Sequence, residues 1–499
     1  MIKMVYDLIK AQYEAYSANL NKISVPECPK AYEDLQSEMQ ISLEKFPKAY
    51  QDNYIMPFID SLNKVGKRNV EGCLRAEGED SDYAIIAQPI LQQSRNFEQV
   101  ATDAFQEVVS DLYDGFLSRE DRANSGLPGH CVAPLIAWLP SWLKGEGKPV
   151  PTGPCTITSD VLNNSFGIKT GIVYLPVQYS KNGLLLWAVI GHETAGHDIL
   201  NASDGLRNEL YANVREKIKQ DLRLGETDPL VDYWSSRIDE AASDVMGILN
   251  MGPAVAMALI GFLRASRAAF DKKTRYRLSS VGLKEDIHPA DVLRVYMAAY
   301  VVGNLKSNPG EFSESKIINE ADHDLDNFPE LGKEIRINAM PKKGFTGVDD
   351  QSGIKIARDI AKQSAKAVAD TIVKTPMRTL NSNSLGEIQN WYNEDEEKAN
   401  GLIPNLTSIR PIPDIDSEVI YAAHVVAAAI YAALTENNMD INLVFKNMVT
   451  MLEFMHSKNP VWTLPIYLEH PGNLDYEKKK KLSNNLYSTW KTGTTLNPS

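Results

Sequence analysis

The sequence is poor in the features that define several large classes of protein. Only four cysteines occur in 499 residues, and no two of them have the CxxC spacing, which excludes a disulfide-rich scaffold and indicates neither a redox motif nor a zinc knuckle. Lys and Arg (52) are outnumbered by Asp and Glu (65), so the formal charge is −13. Because phosphate binding requires a basic face, we expect no nucleic-acid partner. The cysteine usage favours a reducing compartment and therefore a cytoplasmic location.

Long apolar runs are missing as well. The two most apolar stretches, 251–263 and 419–434, stop short of the roughly 20 residues that a membrane-spanning helix requires, so no membrane span is expected. The second stretch contains His424, which we interpret as a paired core histidine rather than a metal ligand. The first ten residues show no sustained apolar segment, and no signal peptide is predicted. Glycine-rich nucleotide loops and the GxSxG elbow are absent, which leaves nucleotide-dependent and serine-hydrolase chemistry without support.

What remains is an ordinary globular composition, with 43% hydrophobic and 23% charged residues. A chain of this length predicts two or three domains, or one catalytic domain with large helical elaborations. Apolar residues recur at helical spacing through most of the chain, as in 103–116. By contrast, 171–177 is rich in Ile, Val and Tyr, and Pro176 near its end suits an edge strand. We expect a mainly α (α+β) fold with a small sheet.

The most informative stretch is AVIGHETAGH at 188–197, which contains an HExxxH pattern. In the common HExxH motif, two histidines four residues apart share one helix face and bind zinc. Here His192 and His197 are five apart, which misaligns them by about 140° on an ideal helix. A one-residue π-bulge would restore the shared face, and Gly196 would permit that distortion and a close approach of a metal. The alternative is that both histidines are incidental polar residues of a helix.

A second block, DEAASD at 239–244, supplies carboxylates on a predicted helix. Glu240 could complete a His2Glu zinc site whose fourth position stays open for water. Asp244, one turn further on, could accept a hydrogen bond from the free ring nitrogen of a ligand histidine. Without the histidines, a solvated helix face would be the preferred interpretation of these acids.

A third block, HPADVLRVY at 288–296, places Pro289 at a favoured first-turn position of the following helix. His288, Arg294 or Tyr296 could stabilise the oxyanion of a tetrahedral intermediate. The alternative is a surface helix that His288 merely caps.

The order of these blocks between about 160 and 300 resembles the Ste24/Oma1-type gluzincin metallopeptidases. That family has an edge strand, a Gly-Leu-Leu turn, an HExxH helix, an E-x-x-A-D helix and an H-P-P-x-x-x-R segment. The longer HExxxH spacing, with glycine before the second histidine, instead resembles dipeptidyl peptidase III. The family is often membrane-embedded, and Ser243 stands in place of its usual alanine.

The resemblance implies a zincin-like catalytic core with Zn²⁺ bound by His192, His197 and Glu240. Glu193 would serve as general base and then as general acid, and Asp244 would orient a ligand histidine. The remaining implied candidates, which would bind substrate or stabilise the intermediate, are His288, Arg294 and Tyr296.

The sequence therefore predicts a zinc metallopeptidase in which a zinc ion activates water and Glu193 removes its proton. Two alternatives stay open: a zinc-dependent hydrolase of a small molecule or biosynthetic substrate, and a non-catalytic interaction protein with a vestigial site. Intact ligands count against the last of these. The predicted regions are a helical N-terminal region at 1–150, the metal-binding catalytic core at 151–307, a polar loop or linker at 308–353 and a helical C-terminal region at 354–499.

Overall fold

A computed structural model describes most of the chain. The described residues are 23–117, 132–140, 142–143, 150–151, 153–200, 205–270, 277–327, 334–341, 352–408, 420–435, 439–459 and 462. Within them the chain is mainly helical and carries two three-stranded sheets, which confirms the expected mainly α architecture with little sheet. No helix among these residues has both the length and the apolarity that crossing a membrane requires.

The chain forms two compact units. The first unit contains Met1–Glu14, Leu184–Ser408 and Ala423–Val444, and the second contains Ala15–Gly183, Ile409–Ala422 and Phe445–Ser499. The chain thus passes between units at 183/184, whereas the sequence predicted a boundary at 150/151. Both flanks of the predicted linker at 308–353 belong to the first unit, and that stretch contains a helix and a strand.

Within the described part of residues 23–183, the second unit contains seven α-helices. An eighth α-helix, Ile441–Lys458, also lies mostly in the second unit. The helices are α1 (Tyr32–Ser42), α2 (Lys48–Tyr50), α3 (Met56–Val65), α4 (Lys67–Ala76), α5 (Asp82–Ser94), α6 (Gln99–Leu117) and α7 (Ser159–Phe166). The strands are β1 (Leu135–Leu139), β2 (Trp142–Leu143), β3 (Val150–Pro151), β4 (Cys155–Ile157) and β5 (Ile172–Pro176).

The sheet of the second unit has the order β1-β5-β4, so the predicted edge strand is in fact the central strand. β5 runs parallel to β1 and antiparallel to β4, whose pairing ends at Tyr174. Pro176 therefore lies beyond the last residue paired with β4, which explains how a central strand tolerates a residue without an N–H group. The expectation of an edge position was wrong because strand order depends on distant segments.

Two buried glutamines close the other edge of β1. Gln106 accepts from Ile136 N and donates to Pro134 O, while Gln92 accepts from Trp138 N and donates to its carbonyl. Each side-chain amide thus replaces the peptide group of a neighbouring strand, and the strand presents no open row of backbone groups for pairing at these positions.

The first unit is built mainly from helices, with one small sheet. Its helices are α8 (Leu184–Ile190), α9 (Leu206–Leu222), α10 (Pro229–Ser235), α11 (Ile238–Met251), α12 (Pro253–Phe270), α13 (Asp291–Val302), α14 (Glu314–Asp326), α15 (Arg358–Lys374), α16 (Leu385–Ile388), α17 (Asn393–Thr407) and α18 (Ala422–Thr435). The helix after residue 440, α19, is Ile441–Lys458 and lies mostly in the second unit. The strands, in the order β6-β7-β8, are β6 (Val281–Leu283), β7 (Ile335–Ala339) and β8 (Ile354–Ile356).

Helix α11 lies at the centre of the first unit. Every residue of this helix except Asp239 is buried, and its ordinary exposed face is missing. Buried acids on such a helix must have partners within the protein, since an unpaired buried carboxylate is costly. The fold therefore excludes the solvated-face interpretation of Glu240 and Asp244.

Candidate metal centre

The predicted helix distortion is present. Helix α8 continues into a π-helical turn at Gly191–Asp198, where each turn contains one residue more than an α-helix. The extra residue brings His192 and His197 to the same side, and their Nε2 atoms are 3.2 Å apart. The five-residue spacing and the π turn are thus two aspects of one geometry.

The π turn packs directly on the backbone of α11 through small residues. A Cβ atom added at Gly196 would lie 2.3–2.4 Å from the atoms of Ser243, and one added at Gly191 would lie 3.2 Å from the Cα of Gly247. Any side chain at Gly196 would push the two elements apart, because Cβ contacts below 3.0 Å do not occur. The sequence predicted that Gly196 would allow a metal to approach closely. In the structure, the space beside Gly196 is filled by Ser243 of the neighbouring helix α11.

This close contact places the first turn of α11 against the imidazoles. Glu240 Oε2 lies 3.3 Å from His192 Nε2, and Glu240 Oε1 lies 3.7 Å from His197 Nε2. The three residues each offer a ligand atom, and these atoms all lie within 4.8 Å of one another. A metal–ligand distance of about 2.0–2.1 Å implies ligand separations of about 3.3–3.4 Å in a tetrahedral site. The observed separations fit a single small cation.

The buried oxygen Oε2 of Glu240 has no hydrogen bond of acceptable geometry, although imidazole nitrogens surround it. Such an orphaned, electron-rich atom normally costs free energy. A cation bound between the carboxylate and the imidazoles would satisfy it. The residues present therefore fit a divalent metal.

Aspartates hold the other ring nitrogens. His192 Nδ1 lies 2.8 Å from Asp244 Oδ1, and His197 Nδ1 lies 3.3 Å from Asp239 Oδ2. Such contacts fix the ring orientation and leave each Nε2 directed at the metal position. The role proposed for Asp244 from the sequence agrees with this contact, whereas the contribution of Asp239 was missed. Asp239 is half-buried, and its position beside Glu240 gave no periodic signal.

Arg294 binds Asp244 instead of facing the centre of the cluster. Its Nε and Nη2 donate to the two carboxylate oxygens of Asp244 at 2.8 and 2.7 Å, and both residues are buried. Burial acts to raise the pKa of Asp244, but the Arg294 guanidinium overcomes it and holds that pKa well below its usual range. Arg294 therefore supports His192 through Asp244, with two of its donors already engaged.

The charges of the cluster depend on one another. Burial alone would lower the pKa of His192, but the hydrogen bond to Asp244 and the negative charges of Asp244 and Glu240 outweigh burial and raise it to about 10. Burial would raise the pKa of Glu240, yet the positive charge of His192 lowers it to about 2. Without metal, a proton on His192 balances the two carboxylates. A metal ion must displace that proton, so the affinity for metal depends on pH.

His288 reaches the cluster from the loop between β6 and α13. Its Nε2 lies 3.2 Å from Glu240 Oε2, and its Nδ1 lies 3.0 Å from Asp286 Oδ1. The buried guanidinium of Arg237 donates to the carbonyl oxygens of His288 and Leu283, which ties this loop to the start of α11. His288, one of the three candidates of its segment, thus lies beside Glu240, whereas Asp286 and Arg237 were not recognised in the sequence.

Tyr296 is not brought to the cluster. It lies two residues after Arg294 on α13, about 200° around the helix, so the two side chains face different neighbours. Its hydroxyl donates to Asp322 Oδ1 at 2.6 Å, and the Lys362 ammonium lies 5.2 Å from the centre of its ring. The hydroxyl predicted as a substrate ligand is therefore engaged on α14.

Glu193 directly follows His192 within the π turn and is only 5% exposed. The next residue, Thr194, is also buried. Glu193 therefore combines two properties that its predicted role requires, namely proximity in the chain to a metal ligand and shielding from bulk water.

No protein-family model, curated protein or solved structure matches the chain. A functional conclusion must therefore be based on the residues of the cluster and on the motifs that carry the resemblance described above.

Proposed function

We propose that this protein is a zinc-dependent hydrolase of the gluzincin type that cleaves peptide bonds. The observation that carries the proposal is the convergence of His192, His197 and Glu240 on one point, with an aspartate behind each imidazole. Two neutral imidazoles and one carboxylate form a donor set that suits zinc. The peptide-bond specificity is supported by the motif order and by Glu193 next to the first histidine.

A zinc ion held by His192, His197 and Glu240 would polarise a carbonyl group and would lower the pKa of water toward neutrality. Glu193 accepts the proton of the attacking water and then donates it to the leaving amine. Asp244 and Arg294 keep His192 in one orientation, and Asp239 does the same for His197. With Arg294 bound to Asp244 and Tyr296 bound to Asp322, His288 is the predicted substrate-side residue that contacts the cluster.

Metal analysis tests the first half of the proposal. The full chain, purified without chelators and then loaded with zinc, should contain one zinc per chain. His192→Ala should contain none, whereas His424→Ala, which changes a buried histidine elsewhere in the first unit, should retain it. Absence of divalent metal from the wild-type protein, even after loading, would leave a non-catalytic protein with a vestigial site as the better explanation.

A peptide-library cleavage assay tests the second half. Cleavage should occur with zinc, stop on addition of a chelator and return when zinc is restored. Glu193→Gln should retain zinc and lose cleavage, since glutamine preserves the shape of the side chain but cannot accept a proton. Zinc binding without cleavage of any peptide would favour hydrolysis of a small-molecule substrate at the same centre.

A further inference from the structure

Three imidazoles, not two, share the same arrangement around Glu240. Each directs Nδ1 toward an aspartate and Nε2 toward the Glu240 carboxylate. The pairs are His192–Asp244 at 2.8 Å, His197–Asp239 at 3.3 Å and His288–Asp286 at 3.0 Å. The corresponding distances from Nε2 to the nearer Glu240 oxygen are 3.3, 3.7 and 3.2 Å. His288 is therefore oriented in the manner of a metal ligand.

An aspartate on Nδ1 favours the tautomer that carries its proton on Nδ1, which leaves the lone pair of Nε2 free for a metal. In that tautomer the Nε2 lone pair of His288 faces Glu240 Oε2, an atom that accepts no well-formed hydrogen bond. Two lone pairs at 3.2 Å repel each other unless a cation lies close to both. The orientation of the His288 ring therefore suits coordination of a cation better than a hydrogen bond to Glu240.

His288 differs from the other two histidines in its freedom to move. Its side chain is 44% exposed, compared with 8% for His192 and 15% for His197. The ligand atoms that lie within 4.8 Å of one another do not include an atom of His288, so its ring must turn inward to coordinate. The other two histidines belong to a helical turn, whereas His288 belongs to a loop.

The backbone of that loop is nevertheless held in place. Arg237 donates to His288 O at 3.3 Å, and Ala290 N donates to the Tyr233 hydroxyl at 2.8 Å. Asp286 accepts from His288 N at 2.9 Å. A fixed backbone with an exposed side chain allows rotation of the ring without movement of the loop.

We propose that His288 is an exchangeable fourth protein ligand of the metal centre, which coordinates when no substrate is bound and leaves when a substrate carbonyl enters. The proposal depends on the metal centre under "Proposed function". Four protein ligands are typical of closed structural zinc sites, and three with an open position are typical of catalytic ones. Rotation of one side chain would convert this centre from the closed form to the open form, so a free centre is protected from solvent and from unwanted hydrolysis.

X-ray absorption spectroscopy of the zinc-loaded full chain tests this by counting coordinated imidazoles. The expected count is three for the wild type and two for His288→Ala. His323→Ala, which removes another exposed histidine of the first unit, should leave the count at three. The zinc affinity of His288→Ala should fall by at least about tenfold, as for loss of a group that supports a metal. Circular dichroism checks that the variant is folded, which its exposed position leads us to expect.

Addition of acetohydroxamate, a small carbonyl-containing chelating ligand, tests the exchange. The count in the wild type should fall from three to two as the hydroxamate takes the position of His288. A count of two in the uncomplexed wild type would overturn the inference and leave the proposed function intact. A count that stays at three with hydroxamate would make His288 a permanent ligand and overturn the exchange. A wild-type protein that binds no zinc would instead overturn the proposed function itself.

Discussion

Two buried histidines of the first unit, His192 and His424, are each hydrogen-bonded to an aspartate, but His192 also belongs to a group of three potential metal ligands among the described residues. His192 Nδ1 lies 2.8 Å from Asp244, and His424 Nε2 lies 2.9 Å from Asp395. Burial and a carboxylate partner are therefore common to both. They do not by themselves distinguish a metal centre from a core contact.

The His424 cluster is part of the core and holds helices together. Asp395 accepts from Tyr392 N and thus also caps the start of α17, while the His424 ring lies against Trp391 with 5.3 Å between ring centres. The neighbouring Glu396 accepts from the Trp391 indole and the Tyr431 hydroxyl, and burial raises its pKa. The interpretation of His424 as a paired core histidine is confirmed.

The difference comes from the backbone. His424 belongs to a regular α-helix and contributes a single imidazole. In the other cluster, the π turn brings His192 and His197 to one side. The close contact between Gly196 and α11 then brings Glu240 against both imidazoles. Convergence of several lone pairs on one point, and not burial or charge, therefore marks the candidate site. Paired variants at the two clusters test this.

The largest effect is expected for removal of the histidines themselves. His192→Ala should abolish zinc binding at micromolar protein, because two remaining ligands do not hold the ion tightly. His424→Ala should keep one zinc per chain but lower the free energy of unfolding of the metal-free protein by about 1–3 kcal/mol, since Asp395 loses a buried partner. Elemental analysis and denaturant unfolding measure the two quantities. Equal zinc loss in both variants would remove the distinction between the clusters.

Replacement of one glutamate in each cluster should affect peptide turnover in only one of the two variants. Glu193→Gln should reduce peptide turnover by about 100–10,000-fold with zinc retained, the usual contribution of a general base. Glu396→Gln, a matched change in the His424 cluster, should leave turnover per folded molecule unchanged. Steady-state cleavage with zinc content measured on the same samples decides the point. Full turnover in Glu193→Gln would exclude this residue from the proton transfer.

The supporting aspartates should show a smaller effect. Asp239→Asn should weaken zinc binding by about 10–100-fold, as expected when a metal-bound histidine loses its carboxylate. Asp395→Asn should not change the zinc affinity. Asp239 is the suitable choice because its side chain is 34% exposed, whereas Asp244→Asn would leave the buried Arg294 without its counter-ion. Competition with a chromogenic chelator gives both affinities.

The smallest effect concerns pH. Because the pKa of His192 is raised to about 10 in the folded, metal-free state, its charge stabilises the fold fully below about pH 6.5, the unfolded pKa, and this contribution is lost as pH rises toward 10. Zinc must displace the same proton, so zinc affinity should rise about tenfold per pH unit between pH 7 and 9.

The thermal midpoint of the metal-free protein should accordingly fall, and the stabilisation by zinc should grow, over this pH range. In His192→Ala both trends should be absent, while His424→Ala should retain them. Thermal melts with zinc and with chelator at several pH values provide the measurement. A zinc affinity independent of pH would contradict the proton at His192.

Much of the candidate site could be predicted from local spacing. The five-residue separation of His192 and His197 requires a π turn if both bind one ion, and this turn is present. Glu240 and Asp244 could be recognised because four residues are about one helical turn. Asp286 was overlooked, although a side-chain contact to the backbone two residues on is a common turn pattern. The assignment of zinc and of peptide hydrolysis stays a prediction.

Other features could not be obtained from local spacing. The central position of β5, the helix and strand inside the polar stretch 308–353, and the partners of Arg294 and Tyr296 all depend on segments far away in the chain. Arg294 and Tyr296 lie on the same short helix, yet one supports the metal ligand and the other contacts α14. The direction of each side chain was decided by the helices that pack around α13.

The sequence by itself determined the mainly helical character, the metal-ligand types and the need for a distorted helix, because helical periodicity and residue chemistry act over a few neighbouring positions. Only the tertiary structure decided that Asp239 supports an imidazole, that Gly196 accommodates a helix and that His288 reaches Glu240. These contacts join residues 42 to 48 positions apart in the chain, and they form only when packing brings the elements together.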